Sequence, residues 1–144
     1  MDKLPDELTV NAWVLLHRAQ RRMLDETGKS LKANDLPGLD WYDVLLELRR
    51  AGADGLRQYE IGDRVLLSKH NLSRLIDRLE SQDLLRRDSV AEDGRGNRIT
   101  ITKAGEAVLK KMWPIYGKSI QQALGDKLSE KELASLTRIL GKLL

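Results

Sequence analysis

Residues 68–103 read SKHNLSRLIDRLESQDLLRRDSVAEDGRGNRITITK, and the apolar spacing changes halfway through. Leu72, Leu75, Ile76 and Leu79 recur at intervals of three and four, the stripe of an amphipathic helix. Ser68 stands where such a helix needs a side-chain cap, and Leu67 with Leu72 forms a hydrophobic staple around it. Beyond the helix the period shortens to two. Leu84 to Val90 reads as a strand, and Arg98-Ile99-Thr100-Ile101-Thr102 reads as a second, with both isoleucines on one face. The tip between them, Glu92 to Asn97, carries two glycines around Arg95. A helix followed by an arginine-tipped hairpin suits a DNA duplex. The helix fits the major groove, and the cationic tip fits the narrower groove beside it.

The upstream side completes the pattern. A short third helix is expected from Gln58 to Leu66, and Leu67-Ser68 leaves only a tight turn before the next, the spacing of helix-turn-helix. The outward side chains of the 68–81 helix are then Lys69, His70, Asn71, Ser73 and Arg74, in the first turns that approach base edges. Arg74 suits guanine and Asn71 suits adenine, while Arg78 is better placed for phosphate. Asp93 repels phosphate, so its expected partner is Arg95 or Arg98, either pair fixing the tip. Arg86 and Arg87 are adjacent in a strand and point to opposite faces. One is expected to face the DNA backbone and the other to pair with a carboxylate; the spacing does not say which.

The flanks are helical. The first helix runs from about Glu7 to Ala33, and Asn34–Gly38 breaks it. The second is expected to start at Asp40 as N-cap, with Leu39 and Val44 as staple and Trp41, Val44, Leu45 and Leu48 inward. Glycines 52 and 55 stop it. A long helix follows Thr102 to about Leu124, and Pro114 inside it should kink or divide it. The last begins at Ser129, which has capping-box spacing to Glu132, and it ends in exposed-looking leucines that call for a partner surface.

Composition bounds the chemistry. The chain has 144 residues, 33% of them charged, a net charge of +3 and no cysteine, which excludes disulfides, thiolate metal sites and thiol redox sensing. The start lacks the apolar run of a signal peptide, and no stretch has the length of a membrane span, so a soluble cytoplasmic protein is expected. His17 and His70 are far apart and make no metal site; Gly94-Arg95-Gly96 is no phosphate loop. No catalytic set is visible, and neither enzyme activity nor a cofactor is expected.

In order and spacing these segments resemble the MarR family of winged-helix transcriptional regulators. The resemblance rests on Trp41–Leu48, Leu67–Glu80, Leu84–Arg87, Asp93-Gly94-Arg95 and Ile101–Gly105. It implies a mainly α fold with a small β-hairpin wing. Residues 37–104 would form the winged helix-turn-helix lobe, and residues 1–36 and 105–144 the dimerisation helices. It further implies a homodimer on a pseudo-palindromic operator, most often a repressor. Ser68 to Arg74 would read the major groove, Arg95 would enter the minor groove, and Asp93 would be its acidic partner. Gln82-Asp83 departs from the small residue and glycine common in the family after the recognition helix. Members often bind aromatic effectors, and Trp13, His17, Trp41, Tyr42, Trp113 and Tyr116 lie on the helices that would line that cleft. The alternative is a winged helix that binds protein, or a ligand-sequestering module, without specific DNA binding.

Overall fold

The computed structural model describes residues 2–65, 67–89 and 97–144. Its elements are α1 (Glu7–Ala33), α2 (Leu39–Ala51), α3 (Gln58–Arg64), α4 (Lys69–Ser81), β1 (Leu85–Ser89), β2 (Asn97–Ile101), α5 (Lys103–Ile120) and α6 (Glu130–Gly141). A 3-10 turn at Gly52–Asp54 follows α2, and a π-helical turn at Gln121–Gly125 follows α5. The fold class is the expected one, helical with one two-stranded antiparallel hairpin. No helix among the described residues is long and apolar enough to cross a membrane.

The chain divides into two compact units, residues 35–114 and residues 1–34 with 115–144. In the first, the apolar stripes of α2 and α4 close a core with the hairpin. Val44, Leu45, Leu48, Ile76 and Leu79 have no exposed surface, and Ile99 supplies the hairpin's share. The hairpin register pairs Leu85 with Ile101 and Arg87 with Ile99. A third segment joins it: Leu56 exchanges both backbone hydrogen bonds with Ile99, at 2.9 and 2.7 Å. Gly55 makes this approach feasible. Its φ of 65° suits glycine, and a Cβ there would meet the Ile99 carbonyl.

Three boundaries differ from expectation. Helix α2 starts at Leu39 with Gly38 as N-cap, not at Asp40. The Asp40 carboxylate instead accepts from its neighbour Trp41 N, whose N–H also bonds the Gly38 carbonyl; the turn is closed one residue earlier by backbone alone. Helix α3 ends at Arg64, because Val65 is already extended at φ −114°, ψ 152°. Pro114 does not divide α5, which runs unbroken across it. The irregularity comes later, in the π turn, where Gln121 bonds Asp126.

The unit of residues 1–34 and 115–144 is built from α1, the end of α5 and α6. The N-termini of α1 and α6 are capped by side chains, that of α6 as its spacing implies. Asp6 accepts from Thr9 N at 2.8 Å, and Ser129 with Glu132 forms a reciprocal capping box. Those bonds hold the Asp6 and Glu132 carboxyls below the usual carboxylate range. Burial is sparse: of this unit's described residues, only Thr27, Leu31 and Ser119 are buried. Thr27 and Ser119 satisfy each other through a 2.7 Å hydroxyl–hydroxyl hydrogen bond.

Candidate nucleic-acid interface

Helix α4 owes its start to Ser68. Its hydroxyl accepts from Asn71 N at 3.2 Å, and its carbonyl accepts from Leu72 N at 2.9 Å. That cap fixes the rotation of the first turn. Leu72, Leu75, Ile76 and Leu79 turn inward, while Lys69, His70, Asn71, Arg74 and Arg78 stay exposed and Ser73 is half-buried. Six hydrogen-bonding side chains expected to meet DNA therefore lie on one side of one helix. No carboxylate stands in the first turn of α4, so nothing there opposes an approaching phosphate.

The far end of α4 is shaped by Asp83. Leu84 N bonds the Leu79 carbonyl at 3.0 Å and Asp83 N bonds the Glu80 carbonyl at 2.9 Å, the paired bonds of a Schellman stop. Such a stop needs a left-handed residue, and Asp83 supplies it with φ 58°. This is the position where the sequence carries an aspartate in place of glycine. Here Asp takes up a conformation that it tolerates better than most residues do.

On the hairpin the two adjacent arginines separate. Arg87 faces inward, opposite Ile99, and its guanidinium meets Asp77 and Glu80 of α4. Arg86 faces outward, exposed, and pairs with Asp88 at 3.3 Å. Asp88 lies opposite Arg98 in the register, so an exposed cation flanks it on each strand. Arg86 is the outward partner that period-two spacing left open. Asn97 and Arg98 are exposed at the described edge of the tip. Asp93 and Arg95 lie outside the described residues.

The six aromatic or imidazole residues expected around an effector fall in both units. Trp13 and His17 belong to one, their rings 4.3 Å apart, with His17 Nδ1 donating to the Trp13 carbonyl at 2.8 Å. Tyr116 is half-buried in the same unit. Trp41, Tyr42 and Trp113 belong to the other; Tyr42 is buried in its core, Trp41 half-buried and Trp113 exposed.

A capped helix with an outward polar face, a preceding short helix across a tight turn and a paired hairpin define a winged helix-turn-helix protein, a DNA-binding class. Comparison with known proteins narrows the class. Residues 34–96 match the model of the MarR family. The transcriptional regulator MhqR of Bacillus subtilis is 29% identical over 134 residues, which covers 93% of this chain and 90% of that one. Sco3205, a MarR family regulator of Streptomyces coelicolor solved in complex with DNA, shares the fold at a TM-score of 0.88 and 22% identity, over 99% of this chain and 89% of that one. BpsR of Bordetella bronchiseptica, whose DNA binding is regulated by 6-hydroxynicotinic acid, shares it at 0.81 and 21% identity, over 92% and 98%. The match to the MarR family model thus covers the helix-turn-helix and most of the hairpin, and the relative similar over nearly the whole chain is a transcriptional regulator.

Proposed function

We propose that the chain represses transcription as a homodimer on a pseudo-palindromic operator, with a small aromatic ligand modulating its hold on DNA. The observation that carries this reading is the outer face of α4, where exposed Lys69, His70, Asn71, Arg74 and Arg78, with half-buried Ser73, lie on a helix fixed at its N-terminus by Ser68. Arg74 reads guanine, Asn71 reads adenine, and Arg78 holds phosphate. Arg95 enters the minor groove and Asp93 fixes it, a part of the reading that rests on sequence alone. Arg98 supports the wing from β2.

Residues 37–104 form the DNA-binding lobe, and residues 1–36 and 105–144 form the dimerisation helices. Support comes from the second unit's bare apolar surface: Leu8, Trp13, Leu15 and Leu143 are each more than three-fifths exposed. Helices with so much open leucine and tryptophan favour a second copy that buries it. The effector takes up space beside some of Trp13, His17 and Tyr116 of the second unit. Tyr42, already buried, contributes through its position in the core. The similarity to a regulator that responds to 6-hydroxynicotinic acid favours an aromatic acid.

The test begins with duplexes selected by the protein from a random pool. A selected sequence with two inverted half-sites about one helical turn apart is the expected result. Binding to it should fall steeply with salt, by roughly 0.9 in log K per log salt for every phosphate neutralised. Arg74→Ala should cost roughly 1–3 kcal/mol and relax preference at one position in each half-site. Light scattering should give twice the chain mass. A monomer, or a pool without enrichment, favours the protein-binding alternative. Quenching of tryptophan fluorescence by 6-hydroxynicotinic acid, with a change in operator affinity, tests the ligand.

A further inference from the structure

We infer that Arg87 is a positioning residue for DNA recognition: it clamps the recognition helix to the hairpin through Asp77 and Glu80 and does not itself touch DNA. The inference rests on the operator-binding reading above.

Arg87 sits on the inner face of β1, opposite Ile99, which is 1% exposed. Its guanidinium reaches α4. There Nη2 bonds the Asp77 carboxylate, and Nε stands 3.6 Å from a Glu80 carboxylate oxygen. The Arg87 side chain keeps only 22% of its surface, against 67% for Asp77 and 45% for Glu80. Its Nε is shielded from solvent. The arginine is thus committed inward, and the partly open groups are the carboxylates.

Asp77 and Glu80 are three residues apart and share one side of α4. A guanidinium hydrogen-bonded to Asp77 and ion-paired with Glu80 resists rotation of the helix about its axis as well as sliding along it. Base readout depends on that rotation, because Arg74 lies one turn before Asp77 on the same helix. The pair has a second consequence. Freed from Arg87, Asp77 is within i, i+3 reach of Arg74 and competes with a base for its guanidinium.

The test compares the parent with Arg87→Gln, Arg87→Lys, Asp77→Asn and the double variant Arg87→Gln/Asp77→Asn. Each is titrated, over a salt series, with the duplex the parent selects and with an unrelated duplex of equal length. Positioning predicts that Arg87→Gln lowers the ratio of selected to unrelated affinity about tenfold and leaves the salt slope on the unrelated duplex unchanged. Arg87→Lys restores part of the ratio. Asp77→Asn, an exposed change that leaves the core intact, also lowers the ratio, and the double variant is no worse than Arg87→Gln alone. A salt slope shallower by about 0.9 in Arg87→Gln would mark a phosphate ligand and overturn the inference. So would a ratio equal to the parent's in both single variants. If the parent selects no sequence, the operator reading falls and this inference falls with it; a selecting parent with indifferent variants sinks only this inference.

Discussion

Gly105 packs against the carbonyl oxygen of Leu84, leaving no room for a Cβ, and the Ile101 side chain would stand 2.7 Å from one. The contact joins the first turn of α5 to the residue that enters β1. Thr102 closes the same corner: its hydroxyl donates to the Asp83 carbonyl at 2.6 Å and accepts from Gly105 N at 3.0 Å. The hairpin's two ends therefore meet at one point, and what holds that point holds the wing.

Gly105→Ala should be among the costliest single-methyl changes in the chain. The obstacle is a backbone carbonyl, which cannot swing aside as a side chain does. Overpacking of this kind costs about 1–3 kcal/mol. Chemical denaturation should show a lower midpoint with an unchanged slope; a midpoint equal to the parent's would mean that the corner yields easily.

Ser68→Ala removes the cap that orients the first turn of α4. A loss of about 1 kcal/mol in stability is expected. Affinity for the selected duplex should fall more than affinity for an unrelated one, since a fraying first turn carries Lys69, His70 and Asn71 with it. Equal losses on both duplexes would disconnect the cap from readout.

Asp83→Gly should stabilise. The left-handed conformation penalises a residue with a Cβ, while glycine adds chain entropy to the unfolded state, so the net gain is roughly 0.5 kcal/mol. Thermal unfolding should shift upward by a few degrees at most. A downward shift would show that the aspartate side chain contributes something the backbone geometry does not display.

Asp43 supplies a pH signature. Although exposed by surface area, it is crowded, and lost hydration raises its pKa first, followed by the charges of Asp40 and Glu47 on the same helix. A carboxyl raised in the folded state binds its proton more tightly there, so ionisation costs stability. The cost is absent below the unfolded value of about 3.9, grows as pH rises through the folded value, and is full at neutrality. Asp43→Asn should match the parent near pH 3 and exceed it at pH 7, by no more than about 0.5 kcal/mol because solvent screens the exposed charges. A variant less stable than the parent at pH 7 would reverse the sign of this account.

The hydroxyl pair of Thr27 and Ser119 offers a last contrast. Thr27→Val strands the Ser119 hydroxyl in a buried site and should cost about 1–3 kcal/mol, whereas Thr27→Val with Ser119→Ala removes both partners and should recover much of it. Additive losses in the double variant would show that the bond carries no coupling.

Local rules made much of this fold legible. The caps at Ser68 and Ser129 are read from residue type and spacing, and the helix stripes follow the 3.6 period because one face of each is buried. Asp40 misled for a physical reason: it has the right chemistry, but the Gly38 carbonyl closes the turn first. The arginines at 86 and 87 show another limit. Alternation says that they diverge, but only the pairing of Arg87 with Ile99 says which turns inward, and that depends on a register between segments distant in sequence. Asp83 is a third case. Aspartate carries a weak left-handed preference, and the bonds from Leu84 and Asp83 back into α4 enforce it.

The pairing of Leu56 with Ile99 has a bearing on how this protein behaves at high concentration. It gives β2 a second neighbour at Ile99, while among the described residues the outer edge of β1 stays open. That edge carries Arg86, Arg87 and Asp88 in succession. A stray strand adding there would have to dehydrate charges of both signs, and such edges resist sheet-to-sheet aggregation. Copies crowded together in solution thus have little means of zippering into a fibre along this edge.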